Sequence, residues 1–343
     1  GKEDVSKMDA VSVKAALLKS GMFAFIKQRP YDIVADPTVA PRAIFVSAFD
    51  TNPLAPDFEL ALKGEEANFQ TGLDALAKIA KTYLSISVNQ KAVALTQAKN
   101  VTLTVFDGPH PAGNVGVQIN NIAPINKGET VWTIDPQAVI FIGRLFNTGH
   151  VDLTRLVAVT GSEVKKPSYC KLKVGALLTN VFAGNVSTDK NLRYISGNVL
   201  TGKQITANGF LGAFHSQVTV IPEGDDVHEM LGWIMPRFDQ FSTSHSYFSW
   251  LMGKKEYTLD ARVKGGERHM IMSNEYDRVL PMDIMPEYLI KAIIAGDIDR
   301  MEALGIYEVA PEDFALCEFV CSSKMELQRI VREGLDMLRR EMC

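Results

Sequence analysis

Apolar residues occur in two alternating patterns along the first 165 residues. A continuous short apolar run at 43–49 is typical of a parallel strand buried on both faces, and strand-like runs rich in β-forming residues follow at 83–87, 101–106 and 155–161. Between them, apolar residues recur with the period of a helix, over 10–22, 57–81 and 136–146. Strands that alternate with helices favour a doubly wound parallel sheet, so we predict an α/β domain over 1–165.

The pattern changes after residue 165. Short strand-like runs separated by Gly and Asn turns surround one brief helical stretch, at 171–182, 192–200 and 215–224. This predicts a small α+β module over 166–228. Residues 229–282 are irregular and rich in aromatic side chains, and 283–343 return to helical spacing. We therefore expect three domains in series, with the aromatic segment before the last.

Composition excludes several classes of function. The formal net charge of −4 argues against a nucleic-acid partner, which would need a basic surface. No apolar run approaches the roughly 18–20 residues of a membrane-spanning helix. The four cysteines are too few for a disulfide scaffold, so we expect a cytoplasmic protein. The chain starts with "GKEDVSKMD" and no Met, from which we expect a native segment upstream.

Motifs for catalysis or cofactor binding are sparse. No Gly-x-Gly-x-x-Gly or P-loop is present, and the six histidines lie at no metal-ligand spacing. Cys317 and Cys321 form a C-x3-C pair, which could be half of a C-x2-C-x2-C-x3-C iron–sulfur motif. The two earlier ligands would then be Pro311 and Phe314, which cannot bind iron. We expect both cysteines to pack a helix and identify no metal site and no catalytic residue.

Six stretches resemble the family of the A subunit of the sodium-translocating NADH:quinone reductase. They read "PRAIFVSAFDTNPLAPD" (41–57), "GPHPAGNVG" (108–116), "QAVIFIGRLFNTG" (137–149), "ISGNVLTGK" (195–203), "LPMDIMP" (280–286) and "ALCEFVC" (315–321). The resemblance covers nearly the whole chain and implies that the family's additional N-terminal domain is missing here. The family is similar to the flavin subunit of respiratory complex I and to the Rnf complex C subunit. Those relatives imply a Rossmann-like FMN-binding domain, a β-grasp (soluble-ligand-binding) module and a C-terminal helical domain, in that order.

The resemblance also implies that the flavin site has been lost. The relatives use a run like G-x-G-G-A-G-F-P-T, whose bare backbone approaches the flavin phosphate. The matching stretch here, "SGMFAFIKQRPYD" (20–32), keeps one glycine and has Phe23 and Phe25 where glycines are needed. The turn at 108–116 keeps its Pro and Gly residues, but Val115 replaces the relatives' acid. We expect no FMN.

The iron–sulfur clusters of the relatives are expected to be absent as well. Their two cysteine runs, laid on this chain, fall on Met270, Ser273, Tyr276 and Leu280, and on Pro311, Phe314, Cys317 and Cys321. The fourth cysteine of each run serves the other cluster, so each cluster would have a single thiolate here. One thiolate cannot bind a 4Fe–4S cube. We expect apolar packing in a relic of an electron-transfer fold.

The family implies a cofactor-free peripheral subunit of a sodium-pumping respiratory complex, at the cytoplasmic face of the bacterial inner membrane. Its enzyme activity is that of the complex, and ubiquinone or menaquinone is the substrate. A quinone site needs an aromatic or apolar wall and a few hydrogen-bonding groups. We expect these near the former flavin cleft, from Phe23, Phe25, Phe49, Asn52, His110 and Asn114.

Two alternatives remain open from the sequence. The chain could be a structural scaffold without a ligand, docked to membrane-embedded and peripheral sister subunits. The docking residues would then be aromatic side chains of the kind enriched in interface cores, namely Trp233, Phe238, Phe241, Phe248 and Trp250. The same side chains could instead cover the core of the β-grasp module. The other alternative is a flavin or iron–sulfur electron-transfer subunit, which the missing glycines and cysteines disfavour.

Overall fold

The computed structural model describes residues 2–226, 231, 234–253 and 255–342. Two β-sheets follow each other along this part of the chain, and a helical region comes after them. The fold is therefore mixed α/β with two sheets, as the sequence predicts at that level. The finer descriptions, a Rossmann-like domain and a β-grasp module, stay predictions.

Six strands form the first sheet: Ile26–Arg29 (β1), Ile33–Val34 (β2), Ile44–Ser47 (β3), Thr82–Ser87 (β4), Thr102–Phe106 (β5) and Val131–Ile134 (β6). Their order is β2-β1-β6-β3-β4-β5. The last four are parallel, whereas β1 is antiparallel to both β2 and β6. The chain runs from β3 to β4 and β5 on one side and returns to β6 on the other. Ligands of open α/β sheets bind outside the carboxyl ends of strands at such a reversal.

Six helices accompany this sheet: Ala10–Ser20 (α1), Phe58–Leu62 (α2), Glu66–Ile79 (α3), Val93–Thr96 (α4), Val115–Ile122 (α5) and Pro136–Thr148 (α6). The helices predicted over 10–22 and 136–146 are confirmed. The single helix predicted over 57–81 is wrong, because the chain forms α2 and α3 there. Gly64, with a φ of +80°, lies between them in the left-handed region that ends a helix.

Helices α3 and α6 pack with their backbones in contact. A Cβ atom on Gly143 of α6 would lie 1.7 Å from the carbonyl oxygen of Asn68. One on Gly72 of α3 would lie 2.1 Å from the carbonyl oxygen of Val139. Only glycine permits this approach, which fixes α6 and therefore the position of its N-terminus at the edge of the sheet.

Strands β1, β2 and β6 were not predicted. The sequence of β1, "IKQR", is mostly polar, yet Gln28 and Arg29 are buried. Other parts of the chain provide hydrogen-bond partners for Oε1 of Gln28 and for Nη1 and Nη2 of Arg29, so this polar strand is buried without an apolar pattern. Strands β2 and β6 have only two and four residues, too few to show a period.

The second sheet contains five strands and one short helix: Thr154–Thr160 (β7), Ser168–Lys173 (β8), Thr179–Phe182 (α7), Leu192–Ser196 (β9), Lys203–Ile205 (β10) and Gln217–Pro222 (β11). Their order is β10-β9-β11-β7-β8, and β11 is parallel to β7 while the other pairs are antiparallel. The strand predicted over 155–161 is therefore present, but its predicted place in the parallel sheet of the first domain is wrong, because it belongs to the second sheet. It pairs with β8 and β11, partners that lie later in the chain. The predicted domain bounds themselves stay a prediction.

The helical region follows the aromatic segment and has its own apolar core. Its helices are Pro286–Ala295 (α8), Ile298–Ala303 (α9), Ala315–Val320 (α10) and Leu327–Met342 (α11). This confirms the helical pattern read from the sequence. Among the described residues, no helix combines the length and apolar character required to span a bilayer.

Candidate functional site

A cleft with a volume of about 380 Å³ opens at the carboxyl ends of β3, β4 and β6. It lies where the strand order of the first sheet reverses, the usual ligand position in such a sheet. Residues 47–50 and Asn52, at the end of β3 and after it, line the cleft together with residues 134–137, from the end of β6 into α6. The second sheet contributes Phe214 and Ser216, and the helical region contributes Glu312. All three regions of the chain thus meet at this cleft.

Four phenylalanines form the apolar wall of the cleft, and they are Phe25, Phe49, Phe58 and Phe214. Phe25 is buried and packs edge-on against Phe214, with ring centroids 6.3 Å apart. The ammonium group of Lys27 lies 4.9 Å from the centroid of the Phe214 ring. Such a cation–π contact fixes the ring on the side of the second sheet.

Four of the six candidate quinone-binding residues line this cleft, and they are Phe25, Phe49, Asn52 and Asn114. Phe23 does not line it, because its ring packs edge-on against Trp132 in the core, with centroids 5.3 Å apart. His110 does not line it either. Its Nδ1 forms a 3.0 Å hydrogen bond with Oγ1 of Thr51, and burial lowers the pKa of the ring. Phe23 and His110 therefore lie outside the lining of the cleft.

Sequence reasoning missed several residues of the cleft. Phe214 lies in the loop before β11 of the second sheet, and no local sequence pattern connects this loop with the cleft of the first sheet. Asp135 could have been found, because an Asp before Pro136 and an apolar periodic run is a helix start signal. Its carboxylate accepts the backbone N–H groups of Gln137 and Ala138 at 2.9 and 3.2 Å. It caps α6 and lines the cleft at once.

Two asparagines supply uncharged hydrogen-bonding groups. The side-chain amide nitrogen of Asn52 donates to Asp50 at 2.8 Å, and its Oδ1 is buried without a hydrogen-bond partner. Asn114 stands at the N-cap of α5, but its side chain makes no capping bond. An unpaired buried acceptor costs about 1–3 kcal/mol, which a ligand donor would recover. The cleft therefore offers an amide donor and an amide acceptor.

The glycine- and proline-rich turn at 108–116 packs against the loop after β3. The amide of Gly113 donates to Oγ1 of Thr51 at 2.9 Å, and a Cβ atom on Gly113 would lie 2.5 Å from the carbonyl oxygen of Phe49. The amides of Ala112 and Asn114 bond to carbonyl groups of the turn itself. These three N–H groups are therefore committed within the protein, whereas a flavin phosphate would need free ones.

Charged groups around the cleft are mostly acidic. Five carboxylates line it, from Asp32, Asp50, Asp57, Asp135 and Glu312, against two cations from Lys27 and Arg29. Both cations are paired, since Nζ of Lys27 lies 3.4 Å from Asp32 and Nη2 of Arg29 lies 2.6 Å from Glu312. A ligand with phosphate groups would meet net repulsion here.

Arg29 connects the cleft to the helical region. Its guanidinium is 1% exposed, and its Nη1 donates to Oδ2 of Asp313 at 3.0 Å. Gly116 of α5 lies directly against this pair, because a Cβ atom there would be 2.4 Å from both carboxylate oxygens of Asp313. The protein's own carboxylate thus lies beside the N-terminal turn of α5, where a ligand anion could otherwise bind.

The acids around Arg29 differ in their pKa. Burial raises the pKa of Glu312 to about 7, against the opposing effect of Arg29, and the charges of Asp313 and Asp32 add to the rise. Burial also raises the pKa of Asp313 although Arg29 lowers it. For Asp32 the nearby cations Lys27 and Arg29 outweigh burial, so its pKa is lowered.

The residues aligned with the relatives' cluster ligands pack together in the helical region. The hydroxyl of Tyr276 lies 3.0 Å from Sγ of Cys321, and Sγ of Cys317 lies 4.0 Å from the carbonyl oxygen of Tyr276. Leu280 and Phe314 belong to the same apolar cluster. Burial raises the pKa of Cys317, which disfavours a thiolate. Among the described residues, no group of three or more His, Cys, Asp or Glu is placed to bind a metal ion.

The aromatic segment before the helical region is largely exposed. Phe238, Phe241, Phe248 and Trp250 are 43–53% exposed, and Trp233 lies outside the described residues. None of these four belongs to the core of the second sheet, so for them the alternative that they cover that core is wrong.

Comparisons with known proteins agree on one family. The family described as "NqrA second alpha/beta domain" matches residues 8–151, and that described as "NQRA C-terminal domain" matches 156–207. The chain is 37% identical over 339 residues to the A subunit of the Na(+)-translocating NADH-quinone reductase of Neisseria meningitidis serogroup C, covering 98% of this chain and 75% of that protein. The protein of the same name from Yersinia pestis bv. Antiqua is 36% identical over 342 residues, covering 99% and 76%.

One solved structure among those matched is a NAD+-reducing [NiFe]-hydrogenase in the air-oxidized state. It is 12% identical, with a TM-score of 0.45. The match covers 98% of this chain, which spans 64% of the length of the hydrogenase chain.

Replacing Glu312 with glutamine tests the acid cluster at the rim of the cleft. The folded pKa of about 7 lies above the ordinary value of 4.5, so the folded protein retains a proton that the unfolded chain releases. The contribution of Glu312 to stability therefore falls as the pH rises between these values. The free energy of unfolding in urea of Glu312→Gln, minus that of the unsubstituted protein, should therefore increase between about pH 5 and about pH 8.

The matched control is Glu59→Gln, which alters an exposed carboxylate on α2. This variant removes one carboxylate that does not pair with Arg29, and it should not reproduce the pH-dependent gain in stability of Glu312→Gln. If the free energies of unfolding of Glu312→Gln and of the unsubstituted protein changed in parallel with pH, the raised pKa of Glu312 would be refuted.

Proposed function

Because the chain belongs to the family of the A subunit of the Na⁺-translocating NADH-quinone reductase, we propose that it serves as a peripheral subunit of such a complex and binds quinone in its cleft. In this proposal the oxidoreductase activity is that of the complex. The chain itself supplies no catalytic residue, and electrons from NADH pass through sister subunits.

The observation that supports quinone binding is the combination of an aromatic wall with uncharged polar groups. A planar ring can lie against Phe49 and Phe214, which are both accessible from the cleft. The amide of Asn114 can donate to a quinone carbonyl, and the unpaired Oδ1 of Asn52 can accept from a quinol hydroxyl. Ligand pockets of this kind combine apolar walls with a few polar groups that orient the ligand.

The charge of the cleft supports a neutral ring over a flavin nucleotide. FMN would place a phosphate among five carboxylates, and both cations of the cleft are already paired with acids. The amides of Ala112, Gly113 and Asn114 in the turn at 108–116 are used within the protein. We infer that the chain binds no FMN, and that the ring of ubiquinone or menaquinone occupies the cleft.

The same reasoning supports the absence of an iron–sulfur cluster. A cluster needs accessible thiolates, whereas Cys317 and Cys321 are buried in a continuous apolar core. Tyr276 occupies the space next to both sulfur atoms. A flavin or iron–sulfur electron-transfer role is therefore the least supported alternative.

A purely structural role is the second candidate, and the exposed aromatic segment favours it. Residues 234–252 expose several large apolar side chains, among them Phe248 and Trp250. Exposed aromatic groups of this type form the cores of interfaces. We propose that this segment docks to membrane-embedded and peripheral sister subunits and keeps the chain at the cytoplasmic face of the bacterial inner membrane. Docking and quinone binding are compatible.

Truncating the aromatic wall tests quinone binding. We expect Phe49→Ala and Phe214→Ala each to weaken the binding of a short-chain ubiquinone about tenfold, since each removes a ring that the quinone would cover. The measurement is calorimetric titration of the assembled complex and of the purified chain. Phe210→Ala is the matched control, because Phe210 is exposed in the second-sheet region and does not line the cleft. Unchanged affinity in both cleft variants would refute the site.

Changing the exposed aromatics tests docking. The double substitution Phe248→Ser and Trp250→Ser should lower the yield of sister subunits that co-purify with this chain, because it removes apolar area from the interface. Val11→Ser on α1 removes a comparably exposed apolar side chain elsewhere and should leave the yield unchanged. Equal yields for the double variant and the control would exclude this surface as the interface.

A further inference from the structure

A second cavity lies at the junction of the two sheets and differs from the cleft in charge. It has a volume of about 30 Å³ and is bounded by α6 on one side and by β7 and β8 on the other. Four of its lining residues are cations, and they are Lys63, Arg144, Arg155 and Lys171. Its one acidic lining residue is Glu65. This junction cavity is therefore basic, whereas the cleft is acidic.

Arg155 of β7 is the buried cation of the junction cavity. It is 2% exposed, and its Nη1 donates to the backbone carbonyl of His215 at 2.8 Å. Its Nη2 lies 3.7 Å from Oδ1 of Asp135, beyond hydrogen-bonding distance. Neither Nη2 nor Nε has a hydrogen-bond partner. A buried guanidinium with unpaired donors is costly, so an acceptor for these N–H groups would stabilise the fold.

The other charged groups of the cavity leave these donors unpaired. Glu65 accepts two hydrogen bonds from Arg144, at 2.7 and 3.2 Å, so its charge is already compensated. Lys63 and Lys171 are exposed and form no ion pair within the described part of the chain. Arg155 faces Asp135 at 3.7 Å, and Arg144 is paired with Glu65 and with Asp152, so the two lysines supply the net positive charge beside Arg155.

We propose that the junction cavity binds one small monovalent inorganic anion of the size of chloride, against Arg155 and between Lys63 and Lys171. The volume supports this size, because a cavity of this kind has room for about one water-sized sphere. The anion would accept from Nε of Arg155, the unpaired nitrogen that does not face Asp135, and the two lysines would supply long-range attraction. Nothing in the quinone proposal depends on this site.

The position of the anion gives it a structural consequence. The side chain of Gln137 on α6 already joins the two sheets at this point, because it donates to the carbonyl of Leu156 at 2.9 Å and accepts from its N–H at 2.8 Å. An anion on Arg155 would supply an acceptor for its unpaired Nε at the same junction. We infer that anion binding strengthens the attachment of the second sheet to the first.

Anomalous diffraction tests the site directly. Crystals of the chain grown or soaked in sodium bromide should show a bromide peak in the junction cavity, within hydrogen-bonding distance of Arg155. An ordered water at that position without anomalous signal would overturn the proposal.

Thermal unfolding supplies a second readout that does not need a buried substitution. At constant ionic strength, replacing gluconate by chloride should raise the Tm, since a ligand that binds only the folded state stabilises it. The double variant Lys63→Gln and Lys171→Gln should raise the apparent chloride Kd about tenfold. The control Lys173→Gln alters an exposed lysine of the same strand that does not line the cavity, and its Kd should not change. A Tm independent of chloride would also overturn the proposal.

Discussion

The buried ion cluster of Arg29 joins the first sheet to the helical region and forms one side of the cleft. Arg29 ends the first strand of the main sheet and pairs with Glu312 and Asp313 of the helical region. Removing one partner from a buried pair of this kind typically costs about 3–5 kcal/mol. The same contact brings Glu312 to the rim of the cleft and Asp313 to the N-terminal turn of α5, beside Gly116. A second arginine, Arg332 of α11, donates to the carbonyl groups of the turn after β1.

This cluster also explains the chemistry of the cleft. In a sheet of this type, a phosphate normally binds where glycine-rich backbone and a helix N-terminus converge. Here Asp313 lies beside the helix N-terminus, and the amides of Ala112, Gly113 and Asn114 in the turn at 108–116 are bonded within the protein. The aromatic wall remains, with Asn52 and Asn114 as its neutral polar groups. Such a cleft favours a ligand with a flat, uncharged ring.

Features with a local physical cause could be predicted from the sequence. Helix α6 has a long apolar run and an Asp-Pro start, and β3 lies within a short apolar run. Features set by distant contacts could not be predicted. Strand β1 is polar in sequence because Arg29 finds its partners more than 280 residues later. Phe214 enters the cleft from the other sheet, and Phe23 turns into the core although its neighbour Phe25 lines the cleft.

The selectivity proposed for the cleft is that it accepts an uncharged quinone ring and excludes a flavin nucleotide. Equilibrium dialysis of the purified chain against FMN, and separately against a short-chain ubiquinone, measures this selectivity. We expect the protein to concentrate the quinone in its compartment and to leave FMN at equal concentration on both sides. Retention of flavin absorbance with the protein, without retention of the quinone, would refute the proposed selectivity.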